Sequence, residues 1–239
     1  MPVYTSIERR YPSKDEYGAP KKYVLVLSCV DYRLLDDLIR FLDHDNLTNR
    51  YYHVALAGAA LGAVPPPQSA SDPATVAPPY WRDTFRDHVR ATVRLTQGEL
   101  SAIYIVQHED CGAFKLYVNG FEHWDEPNQR ECNELYARAL LRDLATDFCA
   151  TYNGEHAHEP GRTVQEKPPA VHAFYMDLRG NVSRTDSYVP PKEARCESYL
   201  CPCARLPGLP TATAPPPREL PQPTAQAPPE RKTTRKAKK

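Results

Sequence analysis

Apolar residues along the chain follow two alternating periodicities as far as Asn181. Tyr23 to Ser28 (YVLVLS) is a short continuous apolar run, the mark of a strand covered on both faces. Directly after it, Leu34, Leu35, Leu38, Ile39 and Leu42 recur at helical spacing with Asp36, Asp37 and Arg40 opposite, which predicts an amphipathic helix. A second strand is expected at Tyr52 to Leu56, leading into the small-residue turn Ala57-Gly58-Ala59-Ala60. Phe85, Val89, Val93 and Thr96 mark a second helix that Gly98 ends, and Ala102 to Val106 (AIYIV) is another buried-strand run. Leu135, Ala139, Leu140, Leu144 and Phe148 mark a helix over 132–149. Ala170 to Met176 (AVHAFYM) reads as a further strand, with Arg179-Gly180-Asn181 as a turn. Strands alternating with helices predict an α/β fold, a mostly parallel β-sheet flanked by helices.

Proline breaks this pattern. Of 25 prolines, six (65, 66, 67, 73, 78 and 79) fall in a Ser/Ala-rich stretch that no regular element tolerates, so 64–80 is expected to be a surface insertion. Residues 1–22 are polar and read as an irregular arm, 23–206 as the folded domain, and 207–239 as a disordered Pro-rich basic tail. Charge changes the picture further. Lys+Arg and Asp+Glu stand at 30 each, but Arg218 to Lys239 carries seven basic residues against two Glu. That is a balance of +5, which leaves the body at −5. A uniformly basic nucleic-acid-binding body is thereby excluded. The tail is expected to be a solubilising extension whose partner, if it has one, is unknown. The first ten residues hold no apolar leader core, and no run approaches the roughly 18 apolar residues of a membrane span, so a soluble cytoplasmic protein is expected. There the seven cysteines stay reduced, as core residues, metal ligands or nucleophiles.

In an open parallel sheet, ligands sit beyond the carboxyl ends of the strands. The strand at 23–28 runs into Cys29-Val30-Asp31-Tyr32-Arg33, and that at 102–106 into Gln107-His108-Glu109-Asp110-Cys111-Gly112. Zinc takes thiolate and imidazole donors, and a catalytic zinc keeps one position open after three protein ligands. Cys29, His108 and Cys111 supply such a set, with two thiolates to cancel the ion's charge and a fourth position for water that the metal can acidify. Either cysteine alone reads more simply as a small buried residue. Together with His108 and the paired Asp31 and Arg33 they point to a site. Asp31 stands near enough to accept a hydrogen bond from metal-bound water, and Arg33 is placed to keep Asp31 ionised. A surface salt bridge is the plainer alternative for that pair.

These stretches resemble the signature of the β-class carbonic anhydrases, Cys-x-Asp-x-Arg after the first strand and His-x-x-Cys-Gly after the third. Cys29, Asp31 and Arg33 match the one, and His108, Cys111 and Gly112 the other. The resemblance covers Tyr23 to Val182, with Ala57-Gly58-Ala59 where the family has an Asn-Ala-Gly turn. It implies a parallel sheet of order 2-1-3-4 and one Zn2+ per chain on Cys29, His108 and Cys111. An Asp31–Arg33 dyad would orient a zinc-bound hydroxide for the reversible hydration of carbon dioxide to bicarbonate. It also implies a homodimer or higher homo-oligomer, and a closed resting state in some members in which the residue matching Asp31 ligates the metal. No proton shuttle is assigned.

Tyr32, Gln107 and the run Ala113 to Leu116 depart from the family pattern, as does the short polar arm. They are expected to fall on pocket walls and subunit contacts rather than on the ligands. Two other functions therefore stay open: a same-fold hydrolase of carbonyl sulfide or carbon disulfide, and a zinc-stabilised, non-catalytic binding protein. Three weaker signals are expected to be structural. They are Glu155-His156-Ala157-His158-Glu159 as a polar loop, Cys196, Cys201 and Cys203 as a chain-end turn, and Cys132 and Cys149 as packing residues.

Overall fold

A computed structural model of the chain describes residues 9–64, 77–78, 80–118, 120–152 and 168–190, with side chains in the long helix as far as 148. Most of the Pro-rich insertion, the His-x-His loop, the three C-terminal cysteines and the basic tail lie outside the described residues.

The strands are β1 (Tyr23–Ser28), β2 (Tyr51–Ala55), β3 (Leu100–His108), β4 (Ala170–Met176) and β5 (Val182–Tyr188). They form one sheet of order β2-β1-β3-β4-β5, parallel throughout except for the antiparallel β4–β5 hairpin. The expected order 2-1-3-4 is observed, with β5 added at the edge. The alternation at 182–188 is largely polar and only Val182 and Tyr188 are buried, so β5 carries little of the hydrophobic signal that marks the inner strands. The expected turn is the hairpin loop, closed by Asp177, whose carboxylate accepts from the backbone N–H groups of Arg179 and Asn181.

Helices α1 (Leu35–His44), α2 (Ala60–Ala63), α3 (Tyr80–Leu95), α4 (Gly112–Tyr117) and α5 (Glu126–Tyr152) complete the fold. Alternate residues of β1 serve two cores. Val24 and Val26 pack on one side with Leu38, Phe41, Leu42, Tyr104 and Phe174. Leu25 and Leu27 pack on the other with Ile103, Ile105, Leu140 and Leu144. Double coverage is why the β1 run is apolar without alternation. On α1 the buried stripe is Leu34, Leu38, Phe41 and Leu42, whereas Leu35 and Ile39, expected beside it, are 47% and 39% exposed. At about 100° per residue those two fall on the flank of the stripe. Helix α5 starts earlier than its apolar spacing implies because Asp125 caps it, accepting from the Asn128 N–H at 3.0 Å, with Pro127 in the first turn. The arm is drawn into the fold at Tyr17, which is buried and donates its hydroxyl to the buried Asp45 at 2.6 Å; Tyr104 donates to the same carboxylate at 2.7 Å.

His172 of β4 is fully buried among the rings of Tyr17, Tyr104 and Phe174, with Nδ1 2.9 Å from Ser187 Oγ. Burial, helped by the charge of Arg184, pulls its pKa down to about 4. The folded pKa lies below the unfolded value of about 6.5, so below that pH the unfolded chain binds more protons and stability falls until about pH 4. The full effect is about 3 kcal/mol. Urea unfolding at pH 7 and pH 4.5 is expected to show most of this loss in the wild type, and His172→Leu to remove that share of the difference. Equal slopes in the two proteins would refute the assignment.

Candidate metal centre

Register brings the two motifs together. Ser28 pairs with Val106 across β1 and β3, and His108 pairs with Met176 across β3 and β4, so the chain leaves β1 and β3 side by side at their carboxyl ends. Cys29 follows β1 immediately. After β3 the backbone turns at Asp110, whose φ of 55° is a left-handed value that Asp tolerates better than most residues, and Cys111 then caps α4. A six-residue helix has too few apolar positions to announce itself, and α4 was not expected.

The donor atoms of Cys29, His108 and Cys111 lie within 4.8 Å of one another. The two sulfurs are 3.7 Å apart. A tetrahedral zinc with Zn–S of about 2.3 Å needs about 3.8 Å between two thiolates. His108 is 3% exposed; its Nδ1 lies 2.8 Å from the Glu109 carbonyl oxygen, which can only accept, so the ring proton sits on Nδ1. Nε2 is thereby left as a bare acceptor, buried and without a hydrogen-bond partner. An unsatisfied buried imidazole nitrogen facing two free thiols fits a soft divalent cation. These three residues could bind a metal ion.

The thiols are electrostatically unequal. A hydrogen bond from Cys111 holds the Cys29 thiol well below its ordinary range, against the opposing effect of burial. Its negative charge and the shared hydrogen bond, with burial, push Cys111 up. A dication bound by both sulfurs would displace the proton of their shared hydrogen bond. The Gly58 N–H also donates to Cys29 Sγ at 3.3 Å. Gly58 has φ of 74°, and a Cβ there would meet the Leu61 side chain at 2.8 Å, so both the turn and the close approach require glycine.

Asp31 and Arg33 meet as expected. Arg33 Nε is 3.0 Å from Asp31 Oδ1 and a terminal nitrogen 2.7 Å from Oδ2, while the Arg33 N–H donates to Oδ1 at 3.1 Å. These hydrogen bonds hold the Asp31 carboxyl below its ordinary range. Asp31 is thus engaged by Arg33, and it lines the same pocket as Cys29 and His108 without being one of the three grouped donors. Sequence reasoning missed the next connection: Arg33 also donates to the Asp110 carboxylate at 2.9 Å and to its carbonyl at 3.0 Å. Lys115 of α4 pairs with the same carboxylate. The second motif therefore braces the dyad of the first. Beside them a pocket of ≈ 30 Å³ is lined by Ser28, Cys29, Asp31 and His108 together with leucines of the α1 region, Val106 and Met176. That space holds about two water-sized molecules.

No family model matches the chain. An uncharacterized protein of Rickettsia conorii is 26% identical over 162 residues, which cover 67% of this chain and 70% of that protein. A second, from Rickettsia bellii, is 27% identical over 96 residues, and the chain spans half of its length. Among solved structures, a tetrameric β-carbonic anhydrase of Sordaria macrospora aligns with TM-score 0.43 and 12% identity, over 72% of this chain and 85% of that one. The β-carbonic anhydrase CafA of Aspergillus fumigatus aligns with TM-score 0.38 and 17% identity, over 72% and 78%. Among the described residues, no helix is long and apolar enough to cross a membrane.

Proposed function

We propose that this chain is a zinc-dependent carbonic anhydrase of the β type, interconverting carbon dioxide and bicarbonate with one Zn2+ on Cys29, His108 and Cys111. The observation that carries the reading is the bare, buried His108 Nε2 facing two free thiols beside a small, largely apolar pocket. A zinc ion held there would supply Lewis acidity and bring the pKa of water toward neutrality. The protein's own residues do the rest. Asp31, kept ionised by Arg33, accepts a hydrogen bond from the attacking water and so aims its lone pair. Leu34, Leu38, Val106 and Met176 offer a linear, uncharged substrate an apolar berth and limit competing water.

Stopped-flow measurement of carbon dioxide hydration by the zinc-loaded protein tests this reading; absence of turnover at full zinc occupancy overturns it. A pocket this small and largely apolar suits carbonyl sulfide equally well, so the same assay with that substrate decides between the two. Asp110 is a positioning residue in this scheme, holding Arg33 against Asp31. Asp110→Asn is expected to keep its zinc and lose about tenfold in kcat, with little change in KM. A variant as fast as wild type would remove Asp110 from the machinery.

A homo-oligomer belongs to the same proposal, since Tyr32, Leu35 and Ile39 recur at helical spacing as exposed apolar residues, Tyr32 at 87%. So does a cytoplasmic setting, where the thiols of Cys29, Cys111 and Cys132 stay reduced.

A further inference from the structure

The proposed reaction liberates a proton for every bicarbonate formed, in a pocket with room for about two waters. Of the side chains lining it, Ser28 has a hydrogen bond that leads outward. Its hydroxyl, buried at 6%, lies 2.7 Å from Nε2 of His53 on the neighbouring strand. β2 is the outer strand of the sheet, and His53 is exposed. The Ser28 hydroxyl has a second acceptor, the Cys29 carbonyl oxygen at 3.2 Å. It can donate to His53 Nε2, or turn to the carbonyl and accept from His53 Nε2–H, so the pair has two hydrogen-bonded arrangements that differ in where the proton sits. Enough protein surrounds the ring that burial lowers the His53 pKa, which keeps the imidazole neutral and able to accept.

We infer that Ser28 and His53 form a proton relay from the pocket to solvent, an inference that rests on the carbonic anhydrase reading. In the hydration direction Ser28 Oγ takes a proton from water in the pocket while its own proton passes to His53 Nε2. The imidazolium then gives the Nδ1 proton to a buffer base; the neutral ring, left protonated on Nε2, returns to its Nδ1–H form by exchanging protons with solvent, and the Ser28 hydroxyl turns back to donate to Nε2. One proton crosses from pocket to buffer and no electrons are exchanged. Dehydration runs the same path backwards. The pair joins β1 to β2 across the sheet, which is why neither residue attracts notice in the sequence.

Two measurements on the full-length, zinc-loaded protein test the relay. In the first, long-range proton–nitrogen NMR of the His53 ring reads its tautomer without reference to turnover. Ser28→Ala is expected to shift the Nε2 resonance, and an unmoved resonance overturns the relay. In the second, His53→Ala is expected to lower kcat for hydration about tenfold in dilute buffer, with kcat/KM within about twofold of wild type, and to recover when imidazole is added as buffer. A merely structural tie would lose kcat/KM as well and would not respond to imidazole, and that result also overturns the relay. An active wild type whose His53→Ala variant keeps its kcat in dilute buffer overturns the relay alone. A wild type without hydration activity removes the carbonic anhydrase reading and the relay with it.

Discussion

Cys111→Ala is expected to purify folded but without zinc, whereas the wild type carries about one zinc per chain. The reason lies in both number and charge of donors. Without Cys111 the site keeps one thiolate and one imidazole, so two of four tetrahedral positions lack a protein ligand and a single negative charge faces a dication. Loss of an outer partner of a metal site already costs 10- to 100-fold in affinity, so loss of a ligand is expected to exceed about a hundredfold. The change removes one small buried atom from the core beside α4, an effect on folding of about 1 kcal/mol, and the protein should survive it. Cys132→Ala is the control: Cys132 is likewise a free cysteine packed on the same core, less deeply buried than Cys111 and outside the donor group. Metal analysis and competition with a chromophoric chelator check both variants. Stoichiometric zinc in Cys111→Ala would place the ion elsewhere.

Asp31→Asn should separate binding from turnover. All three donors remain, so zinc content is expected to stay at the wild-type level, while kcat falls by about 10²- to 10³-fold. Asn has nearly the shape of Asp but carries no charge, and its amide nitrogen donates where the carboxylate accepts. The Arg33 guanidinium then loses one of its two carboxylates and keeps Asp110 alone. An attacking water would meet a donor or a misdirected acceptor in place of a fixed anion. Stopped-flow assays alongside metal analysis on the same samples provide the check. A fully active, zinc-replete variant would remove Asp31 from the reaction, and a zinc-free one would make it a ligand.

Both experiments depend on a site assembled from two distant stretches. Cys29 and Cys111 are 82 positions apart in the chain and 3.7 Å apart in space. What brings them together is the β1–β3 pairing, in which Ser28 lies opposite Val106. Arg33 then crosses the same seam to Asp110, so a small displacement of either loop would be felt by the thiol–imidazole cluster and the Asp31–Arg33 pair together. The buried Gln107, next to His108 on β3, is satisfied by α5: its amide donates to the Asn133 carbonyl at 3.3 Å, on the far side of the strand from His108.

The sequence by itself determined the alternating strands and helices, the doubly buried β1, Leu34, Leu38 and Leu42 of the α1 stripe, and the two strand ends where thiols, imidazole and carboxylate collect. All of these are local: hydrophobic periodicity records which faces are covered, and a motif of three to five residues carries its own chemistry. Tertiary structure decided the rest. Strand order and register turned three separated donors into one cluster, left Nε2 of His108 bare, gave Arg33 its second carboxylate in Asp110, and set Ser28 against His53 on the next strand. It also added β5, whose polar alternation has meaning only beside β4, and α4, too short to show a period. These features arise from contacts between residues far apart in the chain, and periodicity within one segment holds no record of which other segment will lie against it.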